Sequence, residues 1–373
     1  MVLGLAQTPM KLGARKIGCG SPCLVVAEIG TSHAGCLPRA RQLVDAAWEA
    51  GADCVKFQLV LADEIVHPCV GTIDLPGGRI PIYARFEAVE RDVDFYREIK
   101  AHAESKGLSF LCTPFGVRSA RMLRSLGVDA IKIASPELSH YPLLREVAGY
   151  GVPLVLSSGV STPSDIERAL SVVGANVVLL HCLTSYPAPE REYNVSVLRN
   201  LAATFGVLTG VSDHSSDPVL VPALSAAIGA AIIEKHFALS KEDPGLDDPI
   251  ALDPACFGRM VSEIRAAETL GWQATVAALK ERYGASGIDR IVGDGVKRLA
   301  PCEKDNYGTT NRTLVATQRI SVGQVVMASK VAVLRSEKNH KPGVSVDHFS
   351  VILGRRVRRD IQPGDGIAWD DLV

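Results

Sequence analysis

The fold is decided by two stretches, VLTGVSDHS at residues 207–215 and IIEKHFAL at residues 232–239. Each begins as an apolar run rich in β-branched residues, and each contains ionisable side chains towards its end. An apolar run without polar alternation is typical of a parallel strand that helices cover on both faces. The two stretches therefore predict neighbouring buried strands whose polar ends lie at one edge of a sheet.

Six further runs of this kind precede them, and amphipathic segments lie between the runs. In one such segment Leu43, Val44 and Ala47 recur at helical spacing, and Gly51 follows as a helix stop. Eight strand–helix units in about 260 residues predict a (β/α)8 or TIM barrel, with a doubly wound open sheet as the alternative. The six further runs are CLVVAEIG (23–30), CVKFQ (54–58), LSFLCTPF (108–115), AIKIAS (130–135), PLVLSSG (153–159) and VVLLHCLTSYP (177–187).

Two segments depart from the repeated pattern. The connection at residues 59–91 is long and rich in proline and glycine, so we expect a functional loop over the active face of the barrel. After the predicted barrel, the sequence pattern changes to that of short strands and turns. We therefore predict a catalytic barrel at 1–283, a glycine-rich linker at 284–311 and a small β-rich domain at 312–373.

Composition excludes several classes of protein. The chain has 40 Lys and Arg against 41 Asp and Glu, so no general affinity for nucleic acid or an anionic membrane is expected. The longest apolar stretch, 220–233, contains Pro222 and is too short to span a bilayer. Nine cysteines without a CxxC pair predict a reducing, cytoplasmic location and no disulfide framework. A zinc site of Cys19, Cys23, Cys36 and His33 is an alternative that their spacing does not favour.

All eight predicted strands end in polar or ionisable groups, at the face where barrel enzymes place their active sites. Burying such groups is costly unless they are paired, bound to metal or used on a ligand. Lys56 and Lys132 therefore predict a cationic floor for a phosphate or a carboxylate. His214 and His236 suit a divalent metal, with ordinary hydrogen bonding at the rim as the alternative. The hydroxyl groups of the floor are those of Thr113, Ser135, Ser157 and Ser212.

Ten motifs in register, from about residue 22 to 373, resemble the sialic acid (N-acetylneuraminate) synthase family. Among them are AEIGTSHAG, GADCVKFQ, HCLTSYPAP, VSDHS, EKHF and ILGRRVRRDIQPGDGIAWDDL. The resemblance implies a TIM barrel joined to a C-terminal antifreeze-like (SAF) domain. It also implies a C–C bond-forming transferase that condenses phosphoenolpyruvate with an N-acetylmannosamine-like aldose, giving a sialic-acid-like nonulosonic acid and phosphate.

The resemblance also implies roles for individual residues. Glu28, Lys56, Lys132, His214 and His236 would be catalytic, with the two histidines holding Mn²⁺, or Mg²⁺ or Co²⁺ in its place. Arg312 would reach the acceptor from the partner subunit, which implies a homodimer with each SAF domain over the other barrel. The implied substrate-binding residues are Gln58, Thr113, Ser135, Ser157, Ser158, Thr184, Tyr186, Ser212, Asp247 and Arg312.

Some motifs differ from the usual family pattern. SHAG at 32–35 replaces the usual NHNG, and HCLT replaces the usual HCTN. The sequence around Asp247 is PGLDDPIALDP. These changes concern the acceptor sugar more than the reaction. A related synthase with a legionaminic, pseudaminic or surface-polysaccharide type of product is therefore one alternative. A Schiff-base aldolase using Lys132 or Lys56 and a non-catalytic saccharide-binding relative are the others.

Overall fold

The computed structural model describes residues 9–75, 78–243, 245 and 247–373. Pro244 and Leu246, in the altered stretch around Asp247, lie outside these ranges. The barrel strands are Leu24–Gly30 (β1), Cys54–Leu59 (β2), Ser109–Pro114 (β3), Ile131–Ile133 (β4), Leu154–Ser157 (β5), Val177–Cys182 (β6), Leu208–Asp213 (β7) and Ile232–His236 (β8).

These strands are parallel and pair in the order β3-β2-β1-β8-β7-β6-β5-β4. β3 and β4 also lie side by side, so the sheet forms a nearly closed barrel. A doubly wound sheet would reverse its strand order in the middle, whereas here each strand neighbours the next along the chain. The predicted barrel is confirmed. Seven of the predicted runs contain a barrel strand, and the run at 54–58 coincides with β2 except that the strand extends to Leu59.

Helices cover the outside of the barrel. Several start at a polar cap, as at Thr162, whose hydroxyl accepts from the Asp165 backbone N–H while the Asp165 carboxylate accepts from Thr162. The helices, counting the short ones in loops, are Leu37–Glu49 (α1), Ala62–Ile65 (α2), Ile82–Glu87 (α3), Val93–Ser105 (α4), Val117–Leu126 (α5), Tyr141–Ala148 (α6), Pro163–Val173 (α7), Val197–Phe205 (α8), Leu220–Ile228 (α9), Pro254–Tyr283 (α10), Ala285–Val292 (α11) and Phe349–Ile352 (α12).

The amino-terminal end of the barrel is filled by apolar side chains. A hairpin of Met10–Leu12 and Arg15–Ile17 precedes β1, and its Leu12 and Ile17 pack with inward-facing strand residues such as Val26. Burying this apolar surface stabilises the hairpin as a plug. The polar groups inside the barrel therefore lie at its carboxyl end.

The segment predicted as a linker is closely packed against the barrel. It begins with α11, and beyond this helix Lys297 donates to the Ser158 carbonyl at 2.8 Å. Further along, Glu303 is fully buried, and its Oε1 accepts from the backbone N–H groups of Val160 and Thr184. The linker therefore holds the loops that follow β5 and β6.

The C-terminal domain is built on the antiparallel strands Arg312–Ala316 (β9) and Val331–Arg335 (β10) and has an apolar core of its own. It rests on the long loop after β2. Asn339 and His340 contact the carbonyl oxygens of Thr72 and Cys69 in that loop. The loop therefore joins the small domain to the barrel.

No helix in the described part of the chain is long and apolar enough to cross a membrane.

Candidate active site

The polar strand ends converge on a small cavity, of about 60 Å³, at the carboxyl end of the barrel. Alternate residues of a barrel strand point inward, so a polar residue of the right parity reaches this cavity. Ten of the predicted site residues line it, namely Glu28, Lys56, Gln58, Lys132, Ser135, Ser157, Tyr186, Ser212, His214 and His236. Cys182 and Glu234 also line it and were absent from the predicted set.

Two lysines and two glutamates are buried together in the floor of this site. The Lys56 Nζ lies 3.1 Å from Glu28 Oε2 and 3.2 Å from Glu234 Oε1. The Lys132 Nζ lies 3.8 Å from Glu234 Oε1 and donates to the Ser157 hydroxyl at 2.7 Å. The predicted cationic floor therefore also holds two carboxylates, so that each lysine is compensated.

The charges of these four groups depend on one another. Burial raises the pKa of the Glu28 carboxyl, against the effect of Lys56. Burial acts in the same direction on Glu234, but the ammonium groups of Lys132 and Lys56 hold the pKa of that carboxyl below its usual value. Burial would lower the pKa of Lys56, but Glu234 and Glu28 raise it. Lys132 is less well compensated, so burial lowers its pKa to about 8.

The two predicted histidines face each other beside this floor. The ring centroids of His214 and His236 are 5.4 Å apart, and the Tyr186 ring stacks on His214 at 4.3 Å. The His214 Nδ1 is 2.7 Å from the Leu183 carbonyl oxygen, so Nδ1–H donates there and the Nε2 lone pair stays available. Burial lowers the pKa of both imidazoles, which keeps them neutral.

This pair fits part of a metal site. Neutral imidazole with its other nitrogen fixed by a carbonyl is a usual metal ligand. Within the described ranges, no group of three or more His, Cys, Asp or Glu side chains forms a complete ligand set. A cation held by His214 and His236 would therefore keep positions open for substrate or water oxygens.

A buried ion pair joins the two strand ends that carry the histidines. The Lys235 Nζ lies 2.6 Å from Asp213 Oδ2 and also donates to the Ser215 carbonyl oxygen at 2.6 Å. Asp213 precedes His214 and Lys235 precedes His236, so each partner faces outward where its neighbour faces inward. The pair therefore fixes the separation of the two imidazoles.

Two hydroxyl groups near the floor have no partner in the structure. The Thr113 and Thr184 Oγ1 atoms are buried and make no hydrogen bond. A Cβ on Gly159 would lie 2.3 Å from Thr184 Oγ1 and 2.9 Å from Ser135 Oγ, so only glycine fits between them. A buried polar atom without a partner costs stability, and a bound ligand removes that cost.

Two further predicted residues, Ser158 and Asp247, lie outside the cavity lining, as Thr113 and Thr184 do. The Ser158 hydroxyl donates to the Leu180 carbonyl oxygen at 3.0 Å, which makes it part of the strand framework. Asp247 is close enough to Glu28 and His214 to interact with their charges. Burial, reinforced by Glu28, raises the pKa of the Asp247 carboxyl to about 6.

Arg312 is the clearest departure from the predicted site. It is 1% exposed, and its guanidinium pairs with Glu137 of the same chain. It also donates to the carbonyl oxygens of Ile65 and Phe115, at 3.1 and 2.7 Å. The assignment of Arg312 to the acceptor stays a prediction; in this structure barrel groups occupy its guanidinium, which anchors the small domain.

Arg335 is the arginine of the small domain that approaches the mouth of the barrel. It also pairs with Glu137, and its guanidinium lies 5.4 Å from the Phe115 ring centroid. Its charge acts on the Tyr186 phenol at the rim of the cavity. No periodicity distinguishes this residue in the sequence. Glu234, by contrast, could have been found from its parity with His236 in one strand.

The fold and the site together define a TIM-barrel enzyme with a small C-terminal domain. The NeuB family model matches residues 43–274, and the SAF domain model matches residues 311–373. The chain therefore belongs to the NeuB family, and the resemblance seen in its motifs is confirmed.

Named relatives cover nearly the whole chain. The spore coat polysaccharide biosynthesis protein SpsE of Bacillus subtilis is 33% identical over 371 residues, covering 97% of each chain. Its crystal structure superposes with a TM-score of 0.80, at 31% identity, over 98% of this chain and 99% of that one. The N,N'-diacetyllegionaminic acid synthase of Legionella pneumophila is 29% identical over 372 residues, covering 96% of this chain and 97% of the relative.

Proposed function

We propose that the chain is a transferase that joins carbon 3 of phosphoenolpyruvate to the aldehyde carbon of an aldose and releases phosphate. The observation that carries this proposal is the buried Lys56–Glu234–Lys132 array beside two neutral histidines. The array suits an anion, and unpartnered hydroxyls border it. The domain boundaries 1–283, 284–311 and 312–373 and a cytoplasmic location, consistent with nine free cysteines, belong to the same proposal.

The residues divide the reaction between them. Lys132 and Lys56 hold the phosphate and carboxylate of phosphoenolpyruvate and stabilise charge that develops there. Carbon 3 attacks the aldehyde carbon, whose oxygen takes up a proton and becomes a hydroxyl group. Water loses a proton as it adds at carbon 2, and the C–O bond to phosphate then breaks while the new carbon 2 hydroxyl loses its proton and becomes the ketone. Glu28 accepts the proton of that water, which its raised pKa favours. A divalent cation on His214 and His236, Mn²⁺ by our proposal, would supply Lewis-acid polarisation of the aldehyde.

The acceptor is proposed as an N-acetylmannosamine-like aldose or its diacetamido relatives. SpsE and the legionaminic acid synthase, by their names, differ in the polysaccharide or acid that they serve. Tyr186 and Arg335 at the rim, with Asp247 nearby, are the groups placed to contact sugar oxygens. The test is phosphate release from phosphoenolpyruvate with Mn²⁺ and a panel of aldoses. Release that requires one aldose supports the proposal, and no release with any aldose contradicts it.

A Schiff-base aldolase is the second candidate, because a lysine with a pKa of about 8 is a usable nucleophile. Borohydride reduction with pyruvate separates the two functions. A covalent adduct at Lys132 would favour the aldolase, whereas we expect none, since Lys132 is hydrogen-bonded to Ser157 and faces Glu234.

Replacing Lys132 with methionine should lower kcat/KM for phosphoenolpyruvate on the order of 10²–10³-fold, as loss of one charged donor does at such sites. In the unchanged chain, KM for phosphoenolpyruvate should rise as pH passes about 8, because Lys132 then loses its proton. Lys132→Met should lack this rise. Lys16→Met, an exposed change in the amino-terminal hairpin, is the control. The assignment fails if Lys132→Met keeps the pH-dependent KM.

Metal binding should depend on the histidine pair. His236→Ala should weaken Mn²⁺ binding, measured by calorimetry, by about tenfold or more. His102→Ala, beside Asp45 on the barrel surface, should leave it unchanged. Excess chelator should also stop phosphate release. Unaltered Mn²⁺ affinity in His236→Ala, or full turnover under chelation, would refute the metal site.

We further propose a homodimer in which the small domains exchange. Domain exchange reproduces between two chains the interface that one chain makes with itself, so Glu137 would meet Arg335 of the partner. For this exchange, the segment between Glu303 and Arg312, which donates to barrel carbonyl oxygens through Asn306 and Asn311, must change direction.

Subunit mixing tests this arrangement. Arg335→Ala should raise KM for the aldose more than KM for phosphoenolpyruvate, because it removes a rim contact. Mixing refolded Arg335→Ala and His236→Ala chains should restore activity if the domains exchange, since one site of each mixed dimer is then intact. No recovery, with mixed dimers shown by mass, would mean that Arg335 serves its own barrel.

A further inference from the structure

A second cavity, of about 330 Å³, lies outside the barrel between the end of β6 and the linker. Its walls come from the loop after β6, the end of α11 and the linker at 293–301. It shares no lining residue with the cavity at the barrel mouth. Its volume is within the range of small-molecule sites, so the question is which chemistry it presents.

His181 presents a hydrogen-bond acceptor without a donor. The residue lines the cavity and is 3% exposed. Its Nε2 is 2.7 Å from the Tyr193 carbonyl oxygen, so Nε2–H donates there and Nδ1 carries the lone pair. Burial, with Lys297 nearby, lowers the pKa of the imidazole to about 3, and Nδ1 has no partner. The Nδ1 atom could therefore accept a hydrogen bond from a ligand group such as a hydroxyl.

Positively charged side chains outnumber negatively charged ones in the lining of this cavity. Four cationic side chains and two carboxylates line it. Asp294 already pairs with Arg298, at 2.7 Å. Arg191 and Arg290 have no ion-pair partner among the residues that the structure describes. Unpaired guanidinium groups suit the oxygens of a phosphate group.

We infer that this cavity binds a small phosphate monoester that also carries a hydroxyl group, the chemistry of a sugar phosphate. The phosphate dianion lies between Arg191 and Arg290, and a hydroxyl donates to His181 Nδ1. Such a monoester carries a charge of about −1.5 to −2 at neutral pH, which matches the excess of two cations in the lining.

The cavity is tied to the barrel mouth through backbone contacts. Lys297 donates to the carbonyl of Ser158, the residue after Ser157. Asn194 accepts from the Gly295 N–H at 2.7 Å and so holds the start of the linker to the loop after β6. An occupant would therefore hold the linker against the loops that shape the active site. Hydrogen exchange in residues 293–301 should slow when the site is filled.

The binding test uses glycerol 3-phosphate, the probe with one phosphate and free hydroxyls, followed by calorimetry. The double variant Arg191→Gln/Arg290→Gln should bind it about tenfold more weakly or worse. Both side chains are exposed, so the fold is preserved. The matched control is Arg199→Gln, because the Arg199 guanidinium lies over the Trp272 ring and does not line the cavity. This variant should bind glycerol 3-phosphate as the unchanged chain does.

Lys132→Met separates this site from the barrel mouth, because a probe bound at the mouth would need that lysine. Unchanged affinity in Lys132→Met supports the outer cavity. Affinity lost in Lys132→Met but kept in the double variant overturns it, as does the absence of binding to the unchanged chain.

The hydroxyl contact is tested with methyl phosphate, which has no free hydroxyl. We expect it to bind the unchanged chain more weakly than glycerol 3-phosphate, and His181→Phe should bind the two probes equally. If His181→Phe does not fold, the comparison of the two probes on the unchanged chain decides alone. Equal affinity there overturns the His181 contact.

Discussion

The structure depends on the burial of four ionisable side chains at one end of an otherwise apolar barrel. Isolated charges in such a place are strongly unfavourable, and only mutual compensation makes them tolerable. Lys56 is held between Glu28 and Glu234, and Lys132 shares Glu234. Because Lys132 is compensated least, it is the group whose charge a bound anion can stabilise. Under the proposed function, the same constraint that governs stability prepares the site for an anionic substrate.

A second buried charge, Glu137, connects the two domains. It follows β4 and receives Arg312 and Arg335, which are directly paired residues at one end of the antiparallel β9–β10 pair. Arg312 serves as an anchor, whereas Arg335 also lies close to Tyr186 at the rim of the cavity. The small domain is therefore positioned by Glu137, a barrel residue close to the cavity lining, without contributing to the floor.

The loops around the mouth are held from outside by parts of the chain that contribute nothing to the cavity lining. Glu303 binds backbone N–H groups after β5 and β6, and Lys297 binds the carbonyl of Ser158. Behind the histidines, Asp213 and Lys235 form a buried pair. These contacts, which lie around the cavity at the mouth, fix the distances between the groups that line it. The outer cavity lies among the same surrounding residues, since Lys297 lines it.

The sequence by itself determined the barrel and most of the floor, because buried parallel strands leave a strong apolar signal and their polar ends must meet at one face. Their positions at the carboxyl ends of predicted strands were enough to place Lys56, Lys132, His214 and His236 together. Only the tertiary structure decided which groups compensate one another. The pairing of Glu234 with both lysines, the use of Arg312 as an anchor and the approach of Arg335 to the mouth join residues from 56 to 335. Such contacts depend on distances across the fold, and no local pattern of residue types records them.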